Sequence, residues 1–251
     1  MRKIDNFEFQ CKSLGVPIGF IRKIEESLSF RKGKVFLIGG NVRSLILKKK
    51  IDSNPDLVTD INYNKEFFIG SYKMDEELIN AILQWKTDNG HLGKKTVLNN
   101  DPTSKSPSKV CTEWSIENNN RFYPWNLYVE ALRSCFAEYF KIYDNAKTMG
   151  LPLSIEHYNL QHYKPGEGFY LWHKENNGFG KSVFRHLVYM TYLTDTPNGG
   201  TEFQEQNLTV PCEKGVTLIW PAEWTHAHKA NILNTGKKYI ITGWINFSNE
   251  T

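Results

Sequence analysis

The chain has 251 residues, 40% of them hydrophobic and 14% aromatic, enough for at least one folded domain with a sizeable core. Lys and Arg number 31 against 27 Asp and Glu, a scattered surplus that argues against nucleic acid as a partner. No stretch approaches the roughly 18 consecutive apolar residues that a membrane span requires. These properties predict a globular protein that neither spans a membrane nor binds nucleic acid.

The N-terminus and the four cysteines bear on location. The charged residues at positions 2, 3 and 5 are not followed by an apolar segment, so the sequence predicts no secretory signal. The cysteines are far apart and fit neither a disulfide framework nor a zinc knuckle. The sequence therefore predicts reduced thiols and a cytoplasmic protein.

Residues 1–65 differ in texture from the rest and are predicted to be an N-terminal extension of unknown role. Within them, a helix is predicted around 18–28 and a buried strand at 35–38. A turn cluster at 52–55 marks a plausible boundary. The main domain is predicted to span residues 66–251.

The first part of this domain shows a helical period. Asp75 is predicted to cap a helix whose apolar side chains share one side. A polar loop rich in Ser and Pro is predicted from about 99 to 120. After Pro124, apolar residues recur at helical spacing up to Tyr143, which predicts a long amphipathic helix with proline near its first turn.

Beyond Pro152 the period of the apolar residues changes from about 3.6 to 2. Strands are predicted at 155–164, 169–173, 186–194, 201–204, 207–211, 216–220 and 237–247. The turns between them include Pro165-Gly166 and Asn198-Gly199-Gly200. Helices followed by many short strands predict an α+β chain in which N-terminal helices support a jelly-roll or sandwich core at about 152–248.

The histidines of this core suggest a metal site. His173 and Glu175 lie two residues apart, on one face of an extended segment, and His226 and His228 follow a later strand. Two imidazoles and one carboxylate on adjacent strands can bind one face of an octahedral metal, an arrangement that suits non-haem Fe(II) because three positions stay open. These residues alone leave both His226 and His228 as candidates for the second imidazole.

A lysine on the last strand suggests an anionic ligand. Lys238 shares a strand face with Thr242 and Trp244, so we expect its side chain to point inward. A buried ammonium is costly unless an anion meets it. A dicarboxylate that chelates the metal at one end would supply that anion at its other end. Tyr163 and Tyr192 could line the same pocket.

With these features assembled, residues 163–247 resemble the 2-oxoglutarate/Fe(II) dioxygenases of the prolyl 4-hydroxylase type, especially the small phage and bacterial members. The matching features are, in order, Tyr163, His173-x-Glu175, Arg185, Tyr192-Leu193, Gly199-Gly200, Gly215, His228, Gly236-x-Lys238 and Trp244. The resemblance extends weakly back to about Phe67. It implies a double-stranded β-helix core and a hydroxylase that converts O₂ and 2-oxoglutarate to succinate, CO₂ and a hydroxylated product, with peptidyl proline as the leading substrate.

The resemblance also implies roles for individual residues. His173, Glu175 and His228 would be the iron ligands, and His228 is favoured over His226 because only His228 keeps the following glycine and lysine in the family's register. The family usually has Asp where Glu175 stands. A glutamate is one methylene longer but is still a hard oxygen ligand, so iron binding is still predicted.

The remaining assignments concern the co-substrate and the substrate. The residues implied to bind 2-oxoglutarate are Lys238, which would pair with its distal carboxylate, Tyr163 or Tyr192 as a hydrogen-bond donor, and Thr242; those implied to contact the substrate are Arg185 and Trp244. Ascorbate is an accessory reductant that such an enzyme can use. Two alternatives stay open: a jelly-roll binding module that has lost turnover, and a dioxygenase acting on a small molecule. The segments 99–121 and 176–184 could cover the mouth of the core.

Overall fold

The computed structural model describes residues 58–60, 67–99, 106–147 and 152–248. The predicted helix at 18–28, the predicted strand at 35–38 and the turn cluster at 52–55 lie outside the described residues. The division of the chain at residue 65 stays a prediction. One short strand within the predicted extension, Val58–Asp60, pairs with the strand that follows it, Gly70–Met74.

The described residues contain two α-helices and thirteen strands. The helices are α1 (Glu76–Asp88) and α2 (Trp125–Ile142). The strands are β1 (Val58–Asp60), β2 (Gly70–Met74), β3 (Lys94–Leu98), β4 (Lys109–Ile116), β5 (Leu153–Ile155), β6 (Tyr158–Tyr163), β7 (Gly168–Phe169), β8 (Arg185–Tyr192), β9 (Thr196–Phe203), β10 (Leu208–Cys212), β11 (Val216–Pro221), β12 (His228–Ala230) and β13 (Lys238–Phe247).

The strands form two antiparallel sheets. The large sheet has the order β1-β2-β11-β8-β13-β6-β4-β3, with β5 paired to β13 and β7 paired to β4. The small sheet has the order β10-β9-β12. Met190 and Trp220 of the large sheet belong to one buried apolar cluster with Phe203 and Val210 of the small sheet. The two sheets therefore pack face to face, and the predicted α+β fold with a jelly-roll core is confirmed.

The helices cover the other face of the large sheet. Asp75 caps α1 as predicted, because its carboxylate accepts hydrogen bonds from the backbone N–H groups of Glu77 (2.8 Å) and Leu78 (3.2 Å). The hydroxyl of Tyr128 on α2 lies 2.9 Å from the hydroxyl of Thr191 on β8, on the side of that strand opposite to Met190. Neither of these described helices is both long and apolar enough to span a membrane.

The predicted loop over 99–120 is wrong in its second half. Residues Lys109–Ile116 form β4, which pairs with β3 on one side and with β6 and β7 on the other. The side chains of Cys111 and Trp114 are buried, and the Ser- and Pro-rich composition just before the strand obscured them. This correction matters for the site, because β4 forms part of its wall.

Other strand boundaries also differ from the prediction. The predicted strand 155–164 is interrupted after β5, and the predicted strand 169–173 is reduced to the two-residue β7. The predicted turn at Asn198–Gly200 lies within β9. A Cβ atom at Gly200 would lie only 2.3 Å from the carbonyl oxygen of Val210, so a glycine at this position lets β9 approach β10 closely.

Candidate metal and co-substrate site

His173 and His228 are held side by side by their own backbones. The two residues form an isolated antiparallel bridge in which each N–H donates to the carbonyl of the other, at 3.0 and 2.9 Å. His228 is the first residue of β12, and His173 lies in the segment after β7. Their ring centroids are 4.3 Å apart, so the bridge places two imidazoles together at the edge of the small sheet.

The two imidazoles point the same ring nitrogen at one carboxylate. Nδ1 of His173 lies 3.0 Å from the carbonyl of Leu171, and Nδ1 of His228 lies 2.9 Å from the carbonyl of His226. Because a ring nitrogen facing a carbonyl carries the proton, Nε2 of each ring keeps its lone pair. Both Nε2 atoms lie 3.6 Å from Oε1 of Glu175.

These separations fit a single metal ion. Two ligand atoms bound to one ion at about 2.1 Å lie no more than about 4.2 Å apart, and the 3.6 Å separations satisfy that limit. The candidate ligand atoms of His173, Glu175 and His228 all lie within 4.8 Å of one another, so the two imidazoles reach one ion with at most a small shift of their side chains. Two imidazoles and one carboxylate match the facial donor set of non-haem Fe(II) sites. The residues present therefore fit such an ion, and their role as its ligands stays a prediction.

The protonation states also suit a metal site. Burial alone would raise the pKa of the Glu175 carboxyl, but the two imidazoles of His173 and His228 beside it hold that pKa well below its usual range. Burial, with the neighbouring His228, lowers the pKa of His173. The carboxylate is therefore ionised and His173 neutral, which are the forms that bind a metal.

His226, the alternative ligand, faces elsewhere. Its side chain is buried, with Nε2 2.8 Å from the carbonyl of Phe67 and Nδ1 2.9 Å from the hydroxyl of Thr225. Both ring nitrogens are thus engaged by other groups, and His226 is not part of the candidate metal cluster. It ties the segment before β2 to the end of the turn after β11.

A cavity of about 850 Å³ extends from this cluster into the core. His173, Glu175, His228 and Lys238 all line it. The ammonium of Lys238, a residue only 2% exposed, donates a hydrogen bond of 2.9 Å to the carbonyl of Gly199. Burial lowers the pKa of Lys238 to about 8. Among the described carboxylates, none forms an ion pair with it, so the cavity contains a buried cation that lacks a fixed anion.

The two predicted tyrosines differ in their access to the cavity. Tyr163 lines it and lies opposite Lys238 in the β6–β13 register, with the ammonium 5.3 Å from its ring centroid. Its hydroxyl donates to the side chain of Gln161 at 2.6 Å. The hydroxyl of Tyr192 instead lies 2.7 Å from that of Thr201, and Thr201 is the one that lines the cavity. Thr242 lines the cavity as well.

Sequence reasoning missed several residues of the cavity wall. Gln161 lines it two residues before Tyr163, so the period of 2 on β6 was a usable signal. Lys109 also lines the wall and forms an ion pair of 2.5 Å with Glu113, which in turn accepts a hydrogen bond from Gln161 at 2.7 Å. Lys109 and Glu113 were missed because β4 was predicted to be a loop.

Arg185 and Trp244, predicted to contact the substrate, line the cavity and contact Glu175. The indole N–H of Trp244 donates to Oε2 of Glu175 at 2.9 Å. Nη1 of Arg185 lies 3.3 Å from the same oxygen and 3.1 Å from the backbone carbonyl of Glu175. The guanidinium also lies 3.5 Å from the centroid of the Trp244 ring. Contact with a substrate stays a prediction for both residues.

Comparison with known protein families identifies a match over the part of the chain that contains this site. Residues 158–246 match the sequence model of the 2OG-Fe(II) oxygenase superfamily. This part of the chain is a 2-oxoglutarate/Fe(II) oxygenase domain. The match includes the candidate metal cluster, Lys238 and Trp244. None of the curated proteins compared with the chain is significantly similar to it.

Solved structures of prolyl hydroxylases share the fold. A viral collagen prolyl hydroxylase from Paramecium Bursaria Chlorella virus-1, in complex with 2-oxoglutarate, is 14% identical (TM-score 0.54), with 72% of this chain and 97% of that chain covered. A prolyl-4-hydroxylase from Pseudomonas putida is also 14% identical (TM-score 0.53; 72% and 93% covered). A prolyl hydroxylase from Trichoplax adhaerens, in complex with a hypoxia inducible factor peptide fragment, is 14% identical (TM-score 0.55; 80% and 92% covered).

The family match confirms the predicted enzyme class. The domain is that of a 2-oxoglutarate-dependent Fe(II) dioxygenase, with Fe(II) as cofactor and 2-oxoglutarate as co-substrate. The structural neighbours show that its fold is that of prolyl hydroxylases. The substrate is a separate question, because at 14% identity the neighbours speak for the fold alone.

Proposed function

We propose that the oxygenase domain hydroxylates proline residues in a peptide or protein. In this proposal His173, Glu175 and His228 hold Fe(II), and Lys238 binds the distal carboxylate of 2-oxoglutarate. The observation that carries it is the lining of one cavity, where a two-histidine, one-carboxylate cluster and a buried ammonium without an anion both occur. A co-substrate with a chelating end and a free carboxylate end requires both features in one enclosure.

Each part of the wall has a distinct task. When bound, Fe(II) and 2-oxoglutarate would supply the oxidation, in which 2-oxoglutarate and O₂ give succinate and CO₂, with one oxygen atom entering succinate and the other a C–H bond of the substrate. His173, Glu175 and His228 would hold the ion with three protein ligands, a number that suits an ion that must also take a co-substrate and O₂. Lys238 fixes the far end of the co-substrate by charge, and the ring of Tyr163 beside it limits where that end can lie.

The mouth of the cavity supports a peptide substrate. Three apolar side chains at its rim, Leu171, Trp172 and Trp224, are 45%, 40% and 65% exposed. Exposed apolar side chains grouped at a cavity mouth are typical of an interaction site. Aromatic faces suit the apolar ring of a proline and the adjoining peptide chain. The complex of the Trichoplax adhaerens protein with a peptide fragment, in the same fold, agrees with this proposal.

The proposal is tested with purified protein, Fe(II), 2-oxoglutarate and a panel of proline-containing peptides. We expect succinate release together with a mass gain of about 16 Da, one oxygen atom, on peptides that contain proline. Each peptide is paired with a version in which alanine replaces proline, and His173→Ala serves as the control for metal-dependent turnover. Succinate release stimulated by a free amino acid, nucleobase or lipid, and by no peptide, would assign the domain to a small-molecule substrate instead.

A further inference from the structure

The metal-facing carboxylate of Glu175 has one oxygen that does not face the histidines. Oε1 lies 3.6 Å from both imidazoles, whereas Oε2 accepts the indole N–H of Trp244 at 2.9 Å and lies 3.3 Å from Nη1 of Arg185. The two oxygens therefore have separate surroundings. A carboxylate held in this way offers one oxygen, and not two, to an ion at the histidines.

The groups around Oε2 are themselves fixed. Arg185 is the first residue of β8, and Trp244 lies on β13, the strand paired with β8. The guanidinium lies flat enough against the indole to bring its carbon within 3.5 Å of the ring centroid. Arg185 also holds the backbone of Glu175, whose carbonyl accepts a hydrogen bond of 3.1 Å from Nη1. Two paired strands of the large sheet thus hold a residue of the loop after β7.

A second carboxylate balances the charge of Arg185. Nε of Arg185 lies 3.6 Å from Oε2 of Glu156, which also accepts a hydrogen bond of 3.2 Å from the amide of Asn246. Two carboxylates and one guanidinium leave a net charge of about −1, which is the charge of the ligand itself. Arg185 therefore anchors Glu175 without cancelling the negative charge that a metal ion needs.

We propose that Arg185 and Trp244 are positioning residues that fix Glu175 as a ligand through Oε1 alone. This inference rests on the proposed metal site. It also accounts for a glutamate at this position, because the longer side chain reaches the metal side with Oε1 while Oε2 stays on Trp244. We expect that an aspartate, one methylene shorter, would give up one of these two contacts if the backbone stayed in place. Arg185 and Trp244 thus act through Glu175, whatever further contact they make with a substrate.

The test measures metal binding in the absence of substrate and 2-oxoglutarate, so activity is not the readout. Co(II) is titrated into full-length protein, and its affinity is followed by calorimetry while its visible absorption reports the coordination. Trp244→Phe keeps the ring against Arg185 but removes the N–H donor. We expect it to weaken Co(II) binding about tenfold and to alter the absorption, since the loss of a group that orients a metal ligand typically costs about 10–100-fold. Trp224→Phe, the same change at the cavity mouth, should leave the affinity unchanged.

The decisive arm repeats the change in a Glu175→Asp background. There the shorter carboxylate has already lost Trp244, so Trp244→Phe should cost nothing further. Arg185→Met removes the other donor to Oε2 of Glu175. If Trp244→Phe lowers the melting temperature of the metal-free protein, Arg185→Met takes its place in the same comparison of the two backgrounds. Unchanged Co(II) affinity in both single variants, or equal losses in both backgrounds, would overturn the inference. If the unsubstituted protein bound no Co(II), the proposed metal site would fail as well.

Discussion

Replacing Lys238 with methionine should separate two effects of the buried ammonium: the stability that its burial costs the ligand-free protein, and the binding of 2-oxoglutarate that it provides. Methionine has a similar length and no charge, so it fills the same space. In the ligand-free protein, burial lowers the pKa of Lys238 from 10.5 to about 8. At about 1.4 kcal/mol per pKa unit, this shift corresponds to roughly 3 kcal/mol of destabilisation at neutral pH. Lys238→Met should therefore raise the free energy of unfolding of the ligand-free protein by up to about 3 kcal/mol at pH 7.

The sign of this effect fixes a pH dependence. Because the pKa of Lys238 is lower in the folded than in the unfolded state, the unfolded state binds more protons between pH 8 and 10.5. The stability of the ligand-free protein should then rise as the pH rises through that window, and this contribution should be missing in Lys238→Met. Urea unfolding at about pH 7 and about pH 10 measures both quantities.

The same substitution should abolish tight binding of 2-oxoglutarate. Leaving the distal carboxylate buried without its cation costs about 3–5 kcal/mol, or a few-hundred-fold or more in affinity. For the unsubstituted protein, the affinity should fall about tenfold per pH unit above the Lys238 pKa of about 8, because only the ammonium form binds. Titration of 2-oxoglutarate into Mn(II)-loaded protein measures this. Lys237→Met, which alters an exposed neighbour, should be nearly silent. A Lys238→Met protein that is less stable and binds 2-oxoglutarate normally would refute the reasoning.

Three further predictions concern the metal cluster and the extension. Glu175→Gln should lose metal affinity and nearly all succinate release, whereas Glu175→Asp should keep measurable activity; normal turnover by Glu175→Gln would show that the carboxylate is no ligand. His226→Ala should lower the melting temperature, since Phe67 loses the hydrogen bond from His226, yet still bind metal, whereas His228→Ala should lose it; the reverse pattern would exchange their roles. A chain starting at residue 56, which keeps β1, should fold and release succinate; an insoluble product would place residues 1–55 in the core.

The parts of the fold that could be predicted are those with a strong local pattern. The capped α1 and the amphipathic α2 follow from side-chain spacing and capping chemistry alone. The inward direction of Lys238 follows from the period of 2 on β13, and its burial agrees with that. The prediction missed β4 because turn-forming residues precede it in the sequence. Its pairing with β3, β6 and β7 joins segments that are distant in sequence, and composition does not reveal such pairing.

The candidate site, too, was only partly predictable from the sequence, but for a different reason. Residue type and spacing identified His173, Glu175 and a histidine at position 226 or 228 as candidate ligands, because the residues that bind a metal are of a few chemical types, and the family resemblance favoured His228. Their surroundings obey no such rule. The direction in which Arg185 and Trp244 point depends on how β8 and β13 pair and on where the loop after β7 runs, so before the structure only the family resemblance gave them a role, as substrate contacts. In the structure both reach Glu175, at 3.3 and 2.9 Å. The residue types of the candidate ligands could thus be predicted from the local sequence, whereas the groups that orient Glu175 depend on how the strands of the sheet pair.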